Sequence, residues 1–147
     1  MMMQNVRLAD NGLTAEDFVR LRVEAGFMKT PQEQAERAVR NSLFCVAAVY
    51  EGETIGMGRL VGDGAIYWYL QEIIVHPRYQ RSGIGTAIVN RLIAFVQENG
   101  LPGCKMTIGL VAARGKEPFY EKLGFVRIPD GISGSGMKKY VQAPEKG

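Results

Sequence analysis

The chain has 147 residues, the usual length of one domain, and we expect a single domain over residues 1–147. Hydrophobic residues make up 46% of the sequence and charged residues 22%, a balance typical of a globular protein with a buried core. The net charge of +3 is too small to indicate nucleic-acid binding, although it is compatible with a small anionic ligand.

The cysteines and the single histidine argue against a metal site and a disulfide framework. Cys45 and Cys104 have no CxxC spacing, and His76 has no second histidine beside it. The longest apolar run, residues 43–50, is far shorter than the roughly 20 residues that span a bilayer. The N-terminus also lacks the apolar core of a signal peptide. We therefore expect a cytoplasmic protein with reduced cysteines, no metal and no membrane partner.

The N-terminal part predicts one strand and then two helices. The strand covers residues 5–9, and a helix runs from an N-cap at Thr14 to about residue 25. Thr30 followed by Pro31 indicates a second helix that reaches residues 39–41, because threonine caps helices and proline favours the first helical position.

An antiparallel meander of three strands is predicted next. The strands cover residues 43–50, 54–61 and 66–75, with turns at residues 51–53 and 62–64. Pro77 ends the third strand, because proline cannot donate a hydrogen bond to a sheet ladder.

The C-terminal half predicts helices and shorter strands. A long helix begins near Gly85 and is capped at Gly100, since its apolar residues recur at helical spacing. A strand "CKMTIGLV" and a helix "KEPFYEKLG" follow. Two last strands are predicted at residues 125–128 and 137–141.

The turn "QRSGIGT", residues 80–86, combines glycines with the start of the long helix. The first N–H groups of a helix lack intrahelical partners, and glycine lets a ligand approach them closely, so the turn suits a phosphate group. The simpler alternative is a tight strand-to-helix turn. A Rossmann fingerprint would need glycine where Ile88 stands, and a Walker loop would need Ser or Thr after Gly115-Lys116.

The stretch "VHPRYQRSGIGTAIVNRL" resembles the acetyl-coenzyme A motif of the general N-acetyltransferase (GNAT) superfamily. Gln80, Gly83 and Gly85 fill its Gln/Arg-x-x-Gly-x-Gly/Ala pattern, and "FYEKLGF" resembles a second family element. The resemblance implies a mixed α+β fold. Its central sheet would have six to seven mostly antiparallel strands, would splay in the middle and would be flanked by about four helices.

The resemblance also implies where acetyl-coenzyme A binds. The pyrophosphate would rest on backbone N–H groups of the glycine turn, and the pantetheine arm would pair with the strand before it. The implied binding residues are Ile73, Ile74, Val75, Gln80, Arg81, Ser82, Gly83, Ile84, Gly85 and Thr86. The family often has an asparagine in the loop before the last helix; here that loop reads "AARGKEP", and Arg114 or Lys116 is left as an alternative contact.

Amide formation requires a neutral amine, yet a lysine-like amine is only about one part in 2,500 neutral at pH 7. Glu72 is the first candidate for the general base, because strand alternation would place it with Trp68 and Ile74 on one face, where an unpaired carboxylate is costly. A salt-bridged strand residue is the open alternative. Asp63 and Glu117 are weaker candidates for the base.

Tyr120 occupies the position where the family commonly has a tyrosine general acid for the leaving thiolate. The acceptor side would come from the N-terminal helices, the strand around Arg59 and the C-terminal strands. Phe27 and residues 67–69 could line an aromatic pocket, although core packing is the alternative for them.

The stretches "GMGRLVGDGAIYWYLQEIIV", "FYEKLGFVRIPDG" and "GMKKY" resemble a branch of the superfamily that acts on small amines, including arylalkylamine-type acetyltransferases. The predicted function is acetyl-coenzyme A-dependent N-acetylation of a small primary amine by direct transfer in a ternary complex. Acetylation of a macromolecular amine and a catalytically silent coenzyme-binding module are the alternatives. No nucleic-acid partner is expected, and a homodimer is left open.

Overall fold

A computed structural model describes residues 5–146, so residues 1–4, which include the N-terminal methionines, and residue 147 lie outside the description. The described residues group into two compact units, and the division falls after Leu110. The expectation of one domain over the whole chain stays a prediction.

The first unit is built on one five-stranded sheet with the order β1-β2-β3-β4-β5. Each of the first four strands is antiparallel to its neighbour, which confirms the predicted meander, and β5 runs parallel to β4. The strands are β1 (Arg7–Asp10), β2 (Phe44–Tyr50), β3 (Glu53–Gly62), β4 (Tyr67–Val75) and β5 (Thr107–Gly109). The prediction of a mixed, mostly antiparallel sheet is therefore confirmed, but the six to seven strands are not.

Four α-helices occur in the described part of the chain, which is the predicted number. Helices α1 (Ala15–Glu24) and α2 (Gln32–Arg40) precede the meander, and α3 (Ile84–Asn99) follows it. Helix α1 packs on β3 and β4, and α3 packs on β2, β3 and β4. The fourth helix, α4 (Glu117–Glu121), belongs to the second unit.

One of the two predicted helix caps is confirmed. The Thr14 hydroxyl accepts a 3.1 Å hydrogen bond from the Asp17 N–H and caps α1. The cap predicted at Thr30 is wrong, because Pro31 itself occupies the N-cap position of α2 and no side chain caps that helix. The Thr30 hydroxyl instead accepts a hydrogen bond from Arg22 Nε at 3.2 Å.

The sheet buries both faces, and this is where most of the apolar surface is removed from water. Toward α1 and α2, the core comprises Leu13, Phe18, Val19, Leu21, Ala35, Cys45, Ala47, Met57 and Ile74. Toward α3, the Phe44 and Phe95 rings stack at 4.0 Å, and Trp68 meets Phe95 edge-on at 6.3 Å. Each fully buried aliphatic side chain of this kind contributes about 1.5–3 kcal/mol to the free energy of folding.

Glycine at position 58 of β3 allows α3 to approach the sheet. A Cβ atom there would lie 2.7 Å from Ile88, 2.8 Å from Ile73 and 3.0 Å from Leu92. Any larger residue would therefore push the helix away from β3.

The second unit contains α4 but no strand within residues 111–146, so the two strands predicted at residues 125–128 and 137–141 are wrong. Pro129 and the turn at Asp130, whose carboxylate accepts hydrogen bonds from Ile132 N–H and Ser133 N–H, interrupt the extended pattern. The apolar side chains of the two segments, among them Val126 and Met137, are exposed rather than buried on a sheet face. Alternation in the sequence cannot supply the partner strand that a ladder requires.

Candidate active site

Strand β4 is interrupted at Glu72 by a β-bulge. Met57 is paired with Ile74 and Arg59 with Gln71, so that Gly58 faces two residues of β4 instead of one. Glu72 has a φ of 56°, in the left-handed region that a non-glycine residue rarely adopts. The bulge re-aims the side chains that follow it.

The bulge overturns the predicted placement of Glu72 beside Trp68. Trp68 lies on the α3 face against Phe95, whereas Glu72 contacts Arg22 of α1 on the opposite face. Ile74 lies on the α1 side with Glu72, since it belongs to the core cluster there. The prediction from alternation was wrong because one extra residue in a strand moves every later side chain to the opposite face of the sheet.

Glu72 is held between two arginines. Arg22 Nη1 donates a 2.6 Å hydrogen bond to Glu72 Oε2, and Arg59 Nη2 lies 3.9 Å from Oε1. The Glu72 side chain is 12% exposed and that of Arg59 is 13% exposed. The open alternative of a salt-bridged strand residue is thus present in the structure, and the carboxylate retains one oxygen that accepts no hydrogen bond from the described residues.

Arg22 is the residue of this site that sequence analysis missed. Its guanidinium lies 5.7 Å from the ring centre of Phe18 and 5.0 Å from that of Phe27, and Arg59 lies 5.7 Å from Phe18. No local pattern could have found it, because Arg22 and Glu72 are 50 positions apart and meet only through packing of α1 on β4.

The predicted aromatic pocket is only partly assembled. Phe27 lies beside Arg22 and is 47% exposed, whereas Trp68 is buried in the core on the other face. Tyr67 is 63% exposed at the start of β4. Trp68 therefore does not belong to a pocket around Glu72.

The far half of β4 has a free edge. β5 pairs with β4 only at residues 67–69, so residues 73–75 are not joined to β5. Ile74 is buried and its neighbours Ile73 and Val75 are half-buried, and the Val75 C=O accepts a hydrogen bond from the Gln80 side chain. The resemblance to the superfamily predicts such a gap between two strands, where an extended ligand can pair with β4.

The glycine turn leaves a row of donors at the start of α3. Gly83 has a φ of 88° and is the N-cap of α3, and Arg81 has a φ of 63°. The first intrahelical bond in the turn runs from Ala87 N–H to Gly83 C=O. Within the described residues, the N–H groups of residues 81–86 donate to no protein acceptor, and the helix dipole adds partial positive charge there.

Side chains around this turn stabilise it. Gln80 Nε2 donates a 3.0 Å hydrogen bond to Val75 C=O, and the Ser82 hydroxyl donates to Tyr79 C=O. Ile84 is fully buried, so only its main chain can serve a ligand. Gln80 and Ser82 thus hold the loop in shape, and direct contacts of all the predicted binding residues with the coenzyme stay predictions.

The weaker candidates for the base are less suited to the role. Asp63 Oδ1 accepts hydrogen bonds from the N–H groups of residues 65, 66 and 67, and these bonds lower the pKa of its carboxyl. In the second unit, backbone N–H groups, its own and that of Gly115, lower the pKa of Glu117. A carboxylate stabilised in this way takes up a proton less readily.

Tyr120 belongs to α4 in the second unit. Its ring meets Phe119 edge-on at 4.9 Å and Phe125 at 5.9 Å. Burial raises the pKa of the Tyr120 phenol, because desolvation disfavours the charged form. The phenol is therefore better suited to donating a hydrogen bond than to giving up its proton. Arg114 and Lys116, in the loop before α4, are exposed.

Two general features of the described chain bear on its chemistry. Among residues 5–146, no three metal-ligating side chains of the His, Cys, Asp and Glu type lie together. None of the described helices combines the length and the hydropathy needed to cross a bilayer.

Comparisons with solved structures give close matches in fold. A probable acetyltransferase from Staphylococcus aureus has a TM-score of 0.80 at 29% identity, covering 92% of this chain and 99% of that one. A GNAT family protein from Streptococcus pneumoniae has a TM-score of 0.77 at 25% identity, covering 94% and 99%.

Curated relatives by sequence include a serotonin N-acetyltransferase 2, chloroplastic, from Oryza sativa subsp. japonica, 29% identical over 93% of this chain and 68% of that protein. An uncharacterized N-acetyltransferase, ycf52, from Pyropia yezoensis is 26% identical over 74% of this chain. The matched region spans only 63% of that ycf52 protein. The sequence profile of the Acetyltransferase (GNAT) family matches residues 13–125. The glycine turn and the free strand edge agree with these matches. The chain therefore belongs to the GNAT family of N-acetyltransferases, which are acyltransferases.

Proposed function

We propose that this protein transfers an acetyl group from acetyl-coenzyme A to the primary amine of a small molecule, directly and within a ternary complex. The observation that carries the proposal is the row of free N–H groups at residues 81–86, at the start of α3. The strand that leads into this turn adds a second feature, the free edge of β4 at residues 73–75. A diphosphate and an extended amide-containing arm have the chemistry that these two features would satisfy.

The donor side of the reaction would use main-chain groups of the first unit. The pyrophosphate would accept hydrogen bonds from residues 81–86, and the pantetheine arm would pair with residues 73–75 as an added strand. A backbone N–H of that strand segment would donate to the carbonyl oxygen as negative charge develops on it. The left-handed Gly83 supports this role, because its backbone carries no side chain over the donors.

Glu72 would receive the proton of the acceptor amine, directly or through water. Removing the ammonium proton from a lysine-like amine at pH 7 costs roughly 4.6 kcal/mol. Glu72 Oε2 accepts a hydrogen bond from Arg22, whereas Oε1 lies 3.9 Å from Arg59 and accepts none from the described residues. Because Glu72 directly precedes the strand segment at residues 73–75, its carboxylate is attached to the backbone that would hold the thioester.

Tyr120 would donate a hydrogen bond to the sulfur of the leaving thiolate. This role comes from the position of Tyr120 in the family element "FYEKLGF", and its half-buried phenol supports it. The raised pKa of the phenol keeps the proton on the tyrosine, so the donated hydrogen bond, rather than full proton transfer, would stabilise the thiolate.

The cytoplasmic location, the absence of a nucleic-acid partner and the homodimer as an alternative to a monomer stay predictions. The named relatives act on different acceptors, among them one called serotonin N-acetyltransferase and one called histone acetyltransferase TAP1 from Glycine max. These names therefore do not identify the acceptor of this chain, and the small-molecule acceptor is proposed from the residues around Glu72.

Two measurements test the proposal. Isothermal titration calorimetry of the purified protein with acetyl-coenzyme A should show saturable binding, and coenzyme A without the acetyl group should also bind, because the diphosphate is common to both. Release of free thiol should then be followed with a panel of small amines, amino acids and peptides. The absence of binding would refute the donor site; turnover with peptides alone would favour the macromolecular alternative.

A further inference from the structure

We propose that the acceptor amine also carries a carboxylate, and that Arg22 and Arg59 bind it. This inference rests on the proposed function, since it concerns the acceptor side of the same site. It identifies the substrate class as amino-acid-like primary amines rather than simple alkylamines or arylalkylamines.

The first support is the charge balance around Glu72. Two guanidinium groups, Arg22 and Arg59, face one carboxylate, which leaves one positive charge in surplus. Neither arginine has a second acidic partner among the described residues. The other acidic side chain near this end of α1, Glu24, is engaged by Arg20 and His76 instead. A half-buried surplus cation favours a monoanionic ligand and disfavours a ligand that is only cationic.

The second support is the set of unused donors. Arg22 uses Nε on Thr30 and Nη1 on Glu72, and its Nη2 donates to no acceptor among the described residues. Arg59 donates from Nη1 to the Ser42 hydroxyl at 3.1 Å and to the Ala38 C=O at 3.4 Å, while its Nη2, 3.9 Å from Glu72 Oε1, makes no hydrogen bond among the described residues. Guanidinium donors have the geometry that a carboxylate prefers.

The third support is the short distance between the proposed positions of the acceptor's amine and of its carboxylate. Arg22 and the amine would contact the same Glu72 carboxylate, Arg22 on Oε2 at 2.6 Å and the amine on Oε1. The anionic group and the amine of the acceptor must therefore lie only a few bonds apart. An α- or β-amino acid meets this requirement, and a long diamine does not.

The Phe18 and Phe27 rings give the same place an apolar wall. Phe18 is buried beneath both arginines, and Phe27 is 47% exposed beside Arg22. An exposed ring next to a half-buried guanidinium provides a surface for the side chain of an amino acid.

The test compares amines in matched pairs that differ only by the carboxylate: phenylalanine with phenylethylamine, tryptophan with tryptamine, and alanine with ethylamine. Thiol release should give a kcat/KM at least about tenfold higher for the amino acid of each pair, the size expected for one charge-assisted interaction. Equal or lower values for the amino acids would overturn the inference while leaving the proposed function intact. No turnover with any amine would instead refute the proposed function, and this inference with it.

Variants of Arg22 test whether this residue causes the preference for amines that carry a carboxylate. Arg22→Gln should reduce the kcat/KM ratio within each pair toward one, whereas Arg22→Lys should keep part of it because the charge remains. Arg37→Gln removes an exposed arginine from α2 as a matched control and should leave the ratio unchanged. If Arg22→Gln lowered activity equally for both members of a pair, Arg22 would be only structural and the inference would be wrong.

Discussion

His76 Nε2 lies 2.6 Å from Glu24 Oε2, while His76 Nδ1 accepts a 3.1 Å hydrogen bond from the Arg78 N–H. Because Nδ1 is the acceptor, the ring proton lies on Nε2 and is donated to Glu24. One imidazole thus joins α1, on the proposed acceptor side, to the 3₁₀ turn Pro77–Tyr79 that leads into the glycine turn.

Replacing His76 by alanine should weaken acetyl-coenzyme A binding, because the cap on the turn at residues 77–79 is lost together with the contact to α1. Loss of a cap of this type costs about 1 kcal/mol of stability, so the Kd measured by calorimetry should rise by up to roughly fivefold, the value reached when binding has to re-form the whole turn. His76→Asn is the matched variant, since asparagine can still accept from the Arg78 N–H but cannot reach Glu24. It should bind the coenzyme better than His76→Ala; equal losses would mean that the cap does not matter.

Gly83→Ala should impair both stability and coenzyme binding. A Cβ at Gly83 meets no atom within 4 Å, so the penalty comes from its φ of 88°, at about 1–2 kcal/mol of unfolding free energy. Gly52→Ala is the matched control, because Gly52 has a φ of 78° and equally open space in the β2–β3 hairpin. Denaturant unfolding should show similar losses in both variants, whereas calorimetry should show weaker coenzyme binding only in Gly83→Ala. Unaltered binding in Gly83→Ala would contradict the assignment of the turn.

Glu72→Gln should lower kcat by about 100-fold near pH 7, the usual contribution of a general base. The amide can still accept the hydrogen bond from Arg22, so the fold should be kept. The deficit should shrink as the pH approaches the amine pKa of about 10, because the free amine then needs no base. Glu98→Gln, on a side chain 59% exposed on α3, serves as the control and should behave like the wild type. A deficit independent of pH would contradict the role of base.

Tyr120→Phe should reduce kcat by about tenfold or more without altering the Kd for acetyl-coenzyme A, because only a hydrogen bond to the leaving sulfur is removed. Single-turnover thiol release would measure the chemical step directly. Tyr140→Phe is the control from the same unit, since Tyr140 is 85% exposed. An unchanged chemical step in Tyr120→Phe would leave the tyrosine with a packing role beside Phe119 and Phe125.

Asp63→Ala should make the protein less stable at neutral pH but not in strong acid. Hydrogen bonds from the N–H groups of residues 65–67 lower the pKa of Asp63 in the folded state, so its stabilisation is present above the unfolded pKa of about 3.9. The stabilisation is lost as the pH falls through the lowered folded value. Urea unfolding of both proteins from pH 7 to about pH 2 should show their difference narrowing at the acid end. A constant difference would contradict this linkage.

The sequence was most informative where local chemistry decides the structure. The cap at Thr14, the break at Pro77 and the helix start predicted near Gly85 and found at Ile84 each depend on residues within a few positions of one another, and all three were confirmed. The motif around Gly83 also indicated the family correctly, because the loop and the helix N-terminus form one contiguous segment.

The sequence was least informative where pairing between distant segments decides the structure. The segments at residues 125–128 and 137–141 have strand-like sequences, yet no strand forms in residues 111–146, because extended chain becomes a strand only against a partner ladder. Likewise, Thr30 has the chemistry of a cap, but its hydroxyl oxygen accepts a hydrogen bond from Arg22 Nε instead.

By itself, the sequence determined the antiparallel meander, the long helix after a glycine turn and the row of free donors that this turn provides. Only the tertiary structure decided which face of the sheet Glu72 occupies and that Arg22 and Arg59 surround it. The physical reason is the bulge at Glu72: one additional residue against Gly58 reverses the side-chain alternation, and it arises from the pairing of two strands rather than from the residues of either.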